Sequence, residues 1–127
     1  MVCPPPSSVA ELTALGLTFD DLPPAAGTVV VSVERDRALV VLSGEVDIAC
    51  SPQTDAACTV VERLGGPVVV DASRVTFMDA AALGDLLRLR RAAATWELRR
   101  ASPAVLRMLE LTRLTEVLAA PARAASA

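Results

Sequence analysis

A chain of 127 residues, 53% apolar and with a formal net charge of −3, has the material for one domain with its own core. The acidic balance argues against a phosphate-backbone binder, and two Phe, one Trp and no Tyr give no aromatic platform for stacked bases, so nucleic acid is not an expected partner. His is absent and all twelve basic residues are Arg, which removes the Ser-His-Asp and Cys-His constellations, a phosphohistidine relay, a P-loop lysine and a Schiff-base lysine.

In chain order, the first segment (1–26) differs from the rest. Pro4 to Pro6 and Pro23-Pro24 enclose Ser7 to Asp21, where Ser8 and Glu11 have capping-box spacing ahead of Leu12, Leu15 and Leu17. The segment is expected to be a disordered extension, a loose flap or a short amphipathic helix. It lacks the basic start and continuous apolar run of a secretion signal, and Cys3 sits too near the start for a lipoprotein signal. No stretch reaches the length of a membrane span, although Ala38 to Leu42 is locally very apolar. The domain proper is expected over 27–120, with 121–127 as a disordered tail.

Thr28 to Glu34 and Arg37 to Ser43 read as strands joined by a two-residue turn at Arg35-Asp36. A helix is expected from Ser51 or Pro52, because proline suits the first helical position, to Leu64 before Gly65-Gly66. Pro67 to Val70 is too short and too β-branched for a helix and reads as an interior strand ending at Asp71. Asp79 then reads as the N-cap of a helix running from Ala80 to about Ala94, accepting from the N–H of Ala81 or Ala82. Leu83, Leu86, Leu87 and Arg90 share one face of it, with the leucines toward the sheet, while Ala81, Asp85, Arg88 and Leu89 are expected on its outer face. A further strand, a helix and a short terminal strand or helix complete the chain.

The remaining chemical candidates have bland readings beside them. Asp47, Asp71 and Asp79 are hard oxygen donors that suit Mg²⁺ if they converge, but turn and cap roles explain them better, and neither a metal nor a cofactor is expected. Cys3, Cys50 and Cys58 fit neither a zinc pattern nor a disulfide framework, and an odd count fits a reducing cytoplasm. If both were helical, Cys50 and Cys58 would stand roughly 12 Å apart along the axis, too far for a bridge, so buried thiols are expected. Arg63 is the nearby cation that could depress a thiol pKa.

Three segments carry a family resemblance. The run Asp71-Ala72-Ser73-Arg74-Val75-Thr76-Phe77-Met78-Asp79-Ala80-Ala81-Ala82-Leu83 is similar to the pattern D-(L/A)-S-x-V-x-F-(I/M)-D-S-(S/T)-G-L of STAS domains in anti-sigma factor antagonists. Leu42-Ser43-Gly44-Glu45-Val46-Asp47 through Pro52, and Glu97-Leu98-Arg99-Arg100-Ala101-Ser102-Pro103, resemble two further segments of that family in the same order. The resemblance implies an α/β STAS fold, a mixed four- to five-stranded sheet with helices packed on it. It also implies a binding module rather than an enzyme, cytoplasmic and bacterial, that docks a GHKL-type anti-sigma kinase to release a sigma factor. The alternatives are an accessory STAS subunit of a transporter ATPase and an orphan or sensory STAS domain; a homodimer is left open.

The departure lies at the helix start, where Ala80, Ala81 and Ala82 stand at the family's phosphoacceptor serine, second hydroxyl residue and glycine. Alanine offers no acceptor oxygen, so the charge-driven release of the kinase on phosphorylation is not expected, and binding competence becomes constitutive. Alanine in place of glycine at position 82 should favour the helix by roughly 0.5–1 kcal/mol. By resemblance, the partner-binding surface comprises Asp47, Ser51, Ser73, Asp79, Ala80, Ala81, Ala82, Asp85 and Arg88.

Overall fold

The computed structural model describes residues 26–119; the expectations for the N-terminal extension, for Cys3 and for the tail fall outside them. The described elements are β1 (Gly27–Glu34), β2 (Arg37–Val46), a 3-10 turn (Ile48–Cys50), α1 (Ser51–Leu64), β3 (Val68–Met78), α2 (Ala80–Ala92), β4 (Trp96–Ala101), α3 (Pro103–Thr112) and α4 (Thr115–Leu118). The strands form one four-stranded sheet in the order β1-β2-β3-β4. The first pair is antiparallel and the other two are parallel, so this is the expected mixed sheet.

The Arg35-Asp36 turn forms as expected, with Arg35 taking the left-handed conformation (φ 58°) that a glycine would adopt more cheaply. Along β2, Ala38, Val40 and Leu42 alternate inward and meet Val68 and Val70 of β3 on the same face. Against that face α1 presents Ala57, Cys58 and Val61, and α2 presents Ala82, Leu83, Leu86 and Leu89. Val105, Leu109 and Leu118 from α3 and α4 complete the same core. Gln53 of α1 ties the helix to the edge strand: its Oε1 accepts from the Val29 N–H at 2.7 Å.

The bounds of α1 match the expectation. Pro52 stands in its first turn, and Gly65 ends it with φ 63°, its N–H donating to the Val61 carbonyl at 3.0 Å. Gly66 is needed for space: a Cβ there would run into the backbone carbonyl oxygen of Asp36.

Three boundaries are corrected. β3 does not stop at Asp71 but continues to Met78, and β2 extends past Ser43 to Val46, because Ser43, Gly44, Glu45 and Val46 pair with Arg74, Val75, Phe77 and Met78. That pairing absorbs extra residues of β3 at two register shifts, a non-local arrangement that hides the strand from a periodicity reading. The second helix ends at Ala92 rather than about Ala94, and the terminal element is a helical turn.

Candidate functional site

Because β2 and β3 run parallel, Val46 and Met78 end side by side, and the next residue of each strand is an aspartate. Both aspartates act as caps. Asp47 Oδ1 accepts from the Ala49 N–H at 3.0 Å and starts the 3-10 turn. Asp79 Oδ1 accepts from the Ala82 N–H at 2.9 Å and starts α2, choosing Ala82 of the two expected donors, while its own N–H reaches the Val46 carbonyl at 3.4 Å. The edge thus presents two half-buried carboxylates, the exposed methyl of Ala80, and two exposed neighbours that sequence reasoning did not single out, Glu45 and Phe77. Phe77 is 51% exposed and directly opposite Glu45 in the ladder. Its exposure depends on the register shifts in β3, which no local pattern reveals.

The other expected surface residues are placed differently. Ser73 is exposed but lies six residues before Asp79 along β3, about 15–20 Å of extended backbone. Its N–H and hydroxyl both donate to Asp71 Oδ1, at 3.0 and 2.7 Å, and those bonds hold the Asp71 carboxyl below its usual pKa. Asp71 therefore stands apart from Asp47 and Asp79. Among the described residues no group of three or more His, Cys, Asp or Glu side chains is arranged to hold a metal. Ser51 is not the N-cap of α1; that position falls to Cys50, and Ser51 is wholly buried as the first helical residue, its Oγ without a hydrogen-bond partner among the described residues.

The expected outer face of α2 is also corrected. Ala81, Asp85 and Leu89 are buried, at 3%, 4% and 1% exposure, because α2 packs on α1 as well as on the sheet, and Ala82 of the expected partner surface is buried too, at 1%. Asp85 and Arg88 belong to that seam. Arg88 Nη1 donates to Asp85 Oδ1 at 3.2 Å and Nη2 donates to Asp55 Oδ1 of α1 at 2.8 Å. Burial pushes the Asp85 carboxyl up to about 7, even though Arg88 pulls it down. Burial also works against the Arg88 charge, but its bond to Asp55 and the neighbouring carboxylates hold its pKa above the usual value.

Cys50 and Cys58 are buried free thiols, as expected. Burial raises both, Cys58 to about 11, and the cation acting on Cys58 is Arg88 rather than Arg63. Neither thiol has the depressed pKa of a redox site.

Comparison with known proteins gives the fold a name. A family model described as "Mlab, STAS domain" matches residues 29–119. An anti-sigma factor antagonist from Mycobacterium paratuberculosis superposes with a TM-score of 0.62 at 23% identity, covering 76% of this chain and 87% of that one. The anti-sigma factor antagonist SpoIIAA in its unphosphorylated form superposes with a TM-score of 0.51 at 20% identity, covering 68% and 81%. No curated protein sequence matches the chain significantly. The strand order, the aspartate-capped helix after β3 and the family match over most of the chain together place it in the STAS domain family.

Proposed function

We propose that this chain is an anti-sigma factor antagonist-like binding module that docks a GHKL-type anti-sigma kinase and frees a sigma factor by occlusion. The surface it would use is the edge formed by Asp47, Asp79, Ala80, Glu45 and Phe77; Arg88 is engaged in the α1–α2 seam, away from that edge. Ala81, Ala82, Ser51 and Asp85 are buried and do not reach that surface. Ser73 stands too far along β3 to share it.

The observation that carries the reading is the helix start itself: an aspartate-capped first turn that exposes the methyl of Ala80 where the resembling family exposes its phosphoacceptor hydroxyl. A kinase bound there finds no oxygen to accept a phosphoryl group at Ala80, so the bound state persists. No metal or cofactor is required, and the role is one of binding rather than catalysis.

The test is an affinity pull-down from lysate of the source organism with ADP and Mg²⁺, followed by mass spectrometry. Recovery of a GHKL-type kinase supports the reading, and Ala80→Ser should then accept phosphate from that kinase. A kinase that binds but never phosphorylates the serine variant would count against a retained docking edge. A second reading on the same STAS fold has a transporter ATPase in the kinase's place. Recovery of such an ATPase in the same experiment would establish it.

A further inference from the structure

An edge strand leaves every second backbone N–H and C=O without a ladder partner, and proteins ordinarily blunt such an edge with lysine, proline or a bulge. β1 is the outermost strand of the sheet, beside β2, and uses none of these. Between Gly27 and Val33 it carries no charged residue and no proline, and its register with β2 runs to Glu34 without a shift.

One half of this edge is closed from within the chain. Gln53 of α1 sets its side-chain amide against β1 as a peptide group would: Oε1 accepts from the Val29 N–H at 2.7 Å, and Nε2 donates to the Gly27 carbonyl at 3.4 Å. Those two bonds also identify which residues face outward. By the alternation of an antiparallel strand, Val31 and Val33 follow Gly27 and Val29 in turning their N–H and C=O away from β2. Among the described residues nothing pairs with the backbone of Val31 or Val33 on that side. Val33 is also 50% exposed, although it lies opposite the wholly buried Ala38 on the inner face of the sheet.

We infer that the open half of β1 pairs with the same segment of a second copy of this chain, joining the two sheets into one. The segment is complementary to itself. Antiparallel pairing about a two-fold axis at Ser32 sets Val31 of each copy opposite Val33 of the other, and each such pair exchanges both its N–H and its C=O groups. The two Ser32 side chains then face one another on the outer side of the sheet. Glu34 meets Val30 of the other copy rather than a second Glu34, so no like charges are opposed. Val33, exposed in the single chain, packs beside Val31 of the other copy on the inner side.

The helix layer fits the same occupant. α1 returns from the end of β2 to the start of β3 and so runs in the direction of β1. Ala56, exposed, and Val60, half-buried, share the helical face of Gln53. A rise of about 10 Å from Gln53 to Val60 carries that apolar strip from the level of Val29 toward Val33, where it faces its counterpart across the joined edge. Gln53 also limits the interface, because its amide already occupies Gly27 and Val29. The open half lies at the Arg37 end of the hairpin, whereas Gly27 pairs with Gly44 at the end nearer the docking edge, so self-association is independent of the docking reading.

The test is made on the full chain, by sedimentation equilibrium and by cross-linking. A short interface of this kind is expected to give a monomer–dimer equilibrium with a dissociation constant on the order of 10–1,000 µM. Val33→Pro removes an N–H that the other copy accepts while sparing the bonds to β2, and is expected to weaken dimerisation by about tenfold or more. Ser32→Cys places two thiols across the axis with Cα atoms about 4.5 Å apart, within disulfide reach, and is expected to form a covalent dimer on mild oxidation. Val30→Cys, on the same face but opposite Glu34, is expected to cross-link far more slowly, with the wild-type chain giving the background from its own cysteines. A monomer at every concentration up to about 1 mM, a dimer that Val33→Pro leaves unchanged, or cross-linking of Val30→Cys as fast as of Ser32→Cys would overturn the proposal. Should Val33→Pro not fold, the ratio of the two cross-linking rates decides by itself.

Discussion

At the scale of single residues, Asp79 does the most with the least. It closes the end of β3, and its carboxylate takes the Ala82 N–H that the first turn of α2 would otherwise leave unpaired. Replacing it with alanine removes that bond and the favourable charge at the helix start, so Asp79→Ala is expected to cost about 1 kcal/mol in urea denaturation. Amide exchange at Ala82 should accelerate in the variant; exchange at Ala82 as fast as in loops in the wild type would show that the cap does not hold. Asp79 and Ser102 are both helix caps, yet only Asp79 stands where two parallel strands end together. The aspartate was legible as a cap from its place before Ala80. Phe77 was not legible as exposed, because an apolar residue in an apolar run reads as core unless the register is known.

At the scale of elements, the seam between α1 and α2 and the junction between α1 and β3 fix where the helices lie. Gly66 allows the chain leaving α1 to pass the Asp36 carbonyl, and its own carbonyl accepts from Ala94 at 3.0 Å, tying that junction to the chain leaving α2. Gly66→Ala forces backbone against backbone and is expected to destabilise by about 1–3 kcal/mol, read from the denaturation midpoint. An unchanged midpoint would mean that the β1–β2 turn can yield. The ends of α1 were readable because Pro52 and Gly65 are local signals. The packing of α2 was not: Leu83, Leu86 and Leu87 suggest one apolar stripe, and a charged residue beside them reads as exposed. Asp85 is buried nonetheless, because Arg88 and Asp55 meet it from two helices, a pairing 33 residues apart in the chain that leaves no local trace. The full length of β3 is hidden for the same kind of reason, since Ala72 to Met78 is strand only by virtue of its partners in β2 and β4.

At the scale of the whole molecule, the parallel pairing of β2, β3 and β4 separates two ends. The candidate docking edge lies where β2 and β3 finish, and Trp96 lies where β4 begins, opposite Val68 at the start of β3. Ten residue steps of strand separate Val68 from Met78, about 30 Å at full extension. The order of elements and the family were legible from the sequence because motif order and spacing survive where side chains drift. Trp96 is 3% exposed, and its indole Nε1–H donates to the Leu118 carbonyl at 2.9 Å, closing α4 over the far end of the core. It is the chain's one tryptophan. The molecule therefore carries a built-in fluorophore: its emission should stay blue while a partner occupies the distant edge and shift red only when the terminal turn lets go, so one optical signal separates engagement from unravelling.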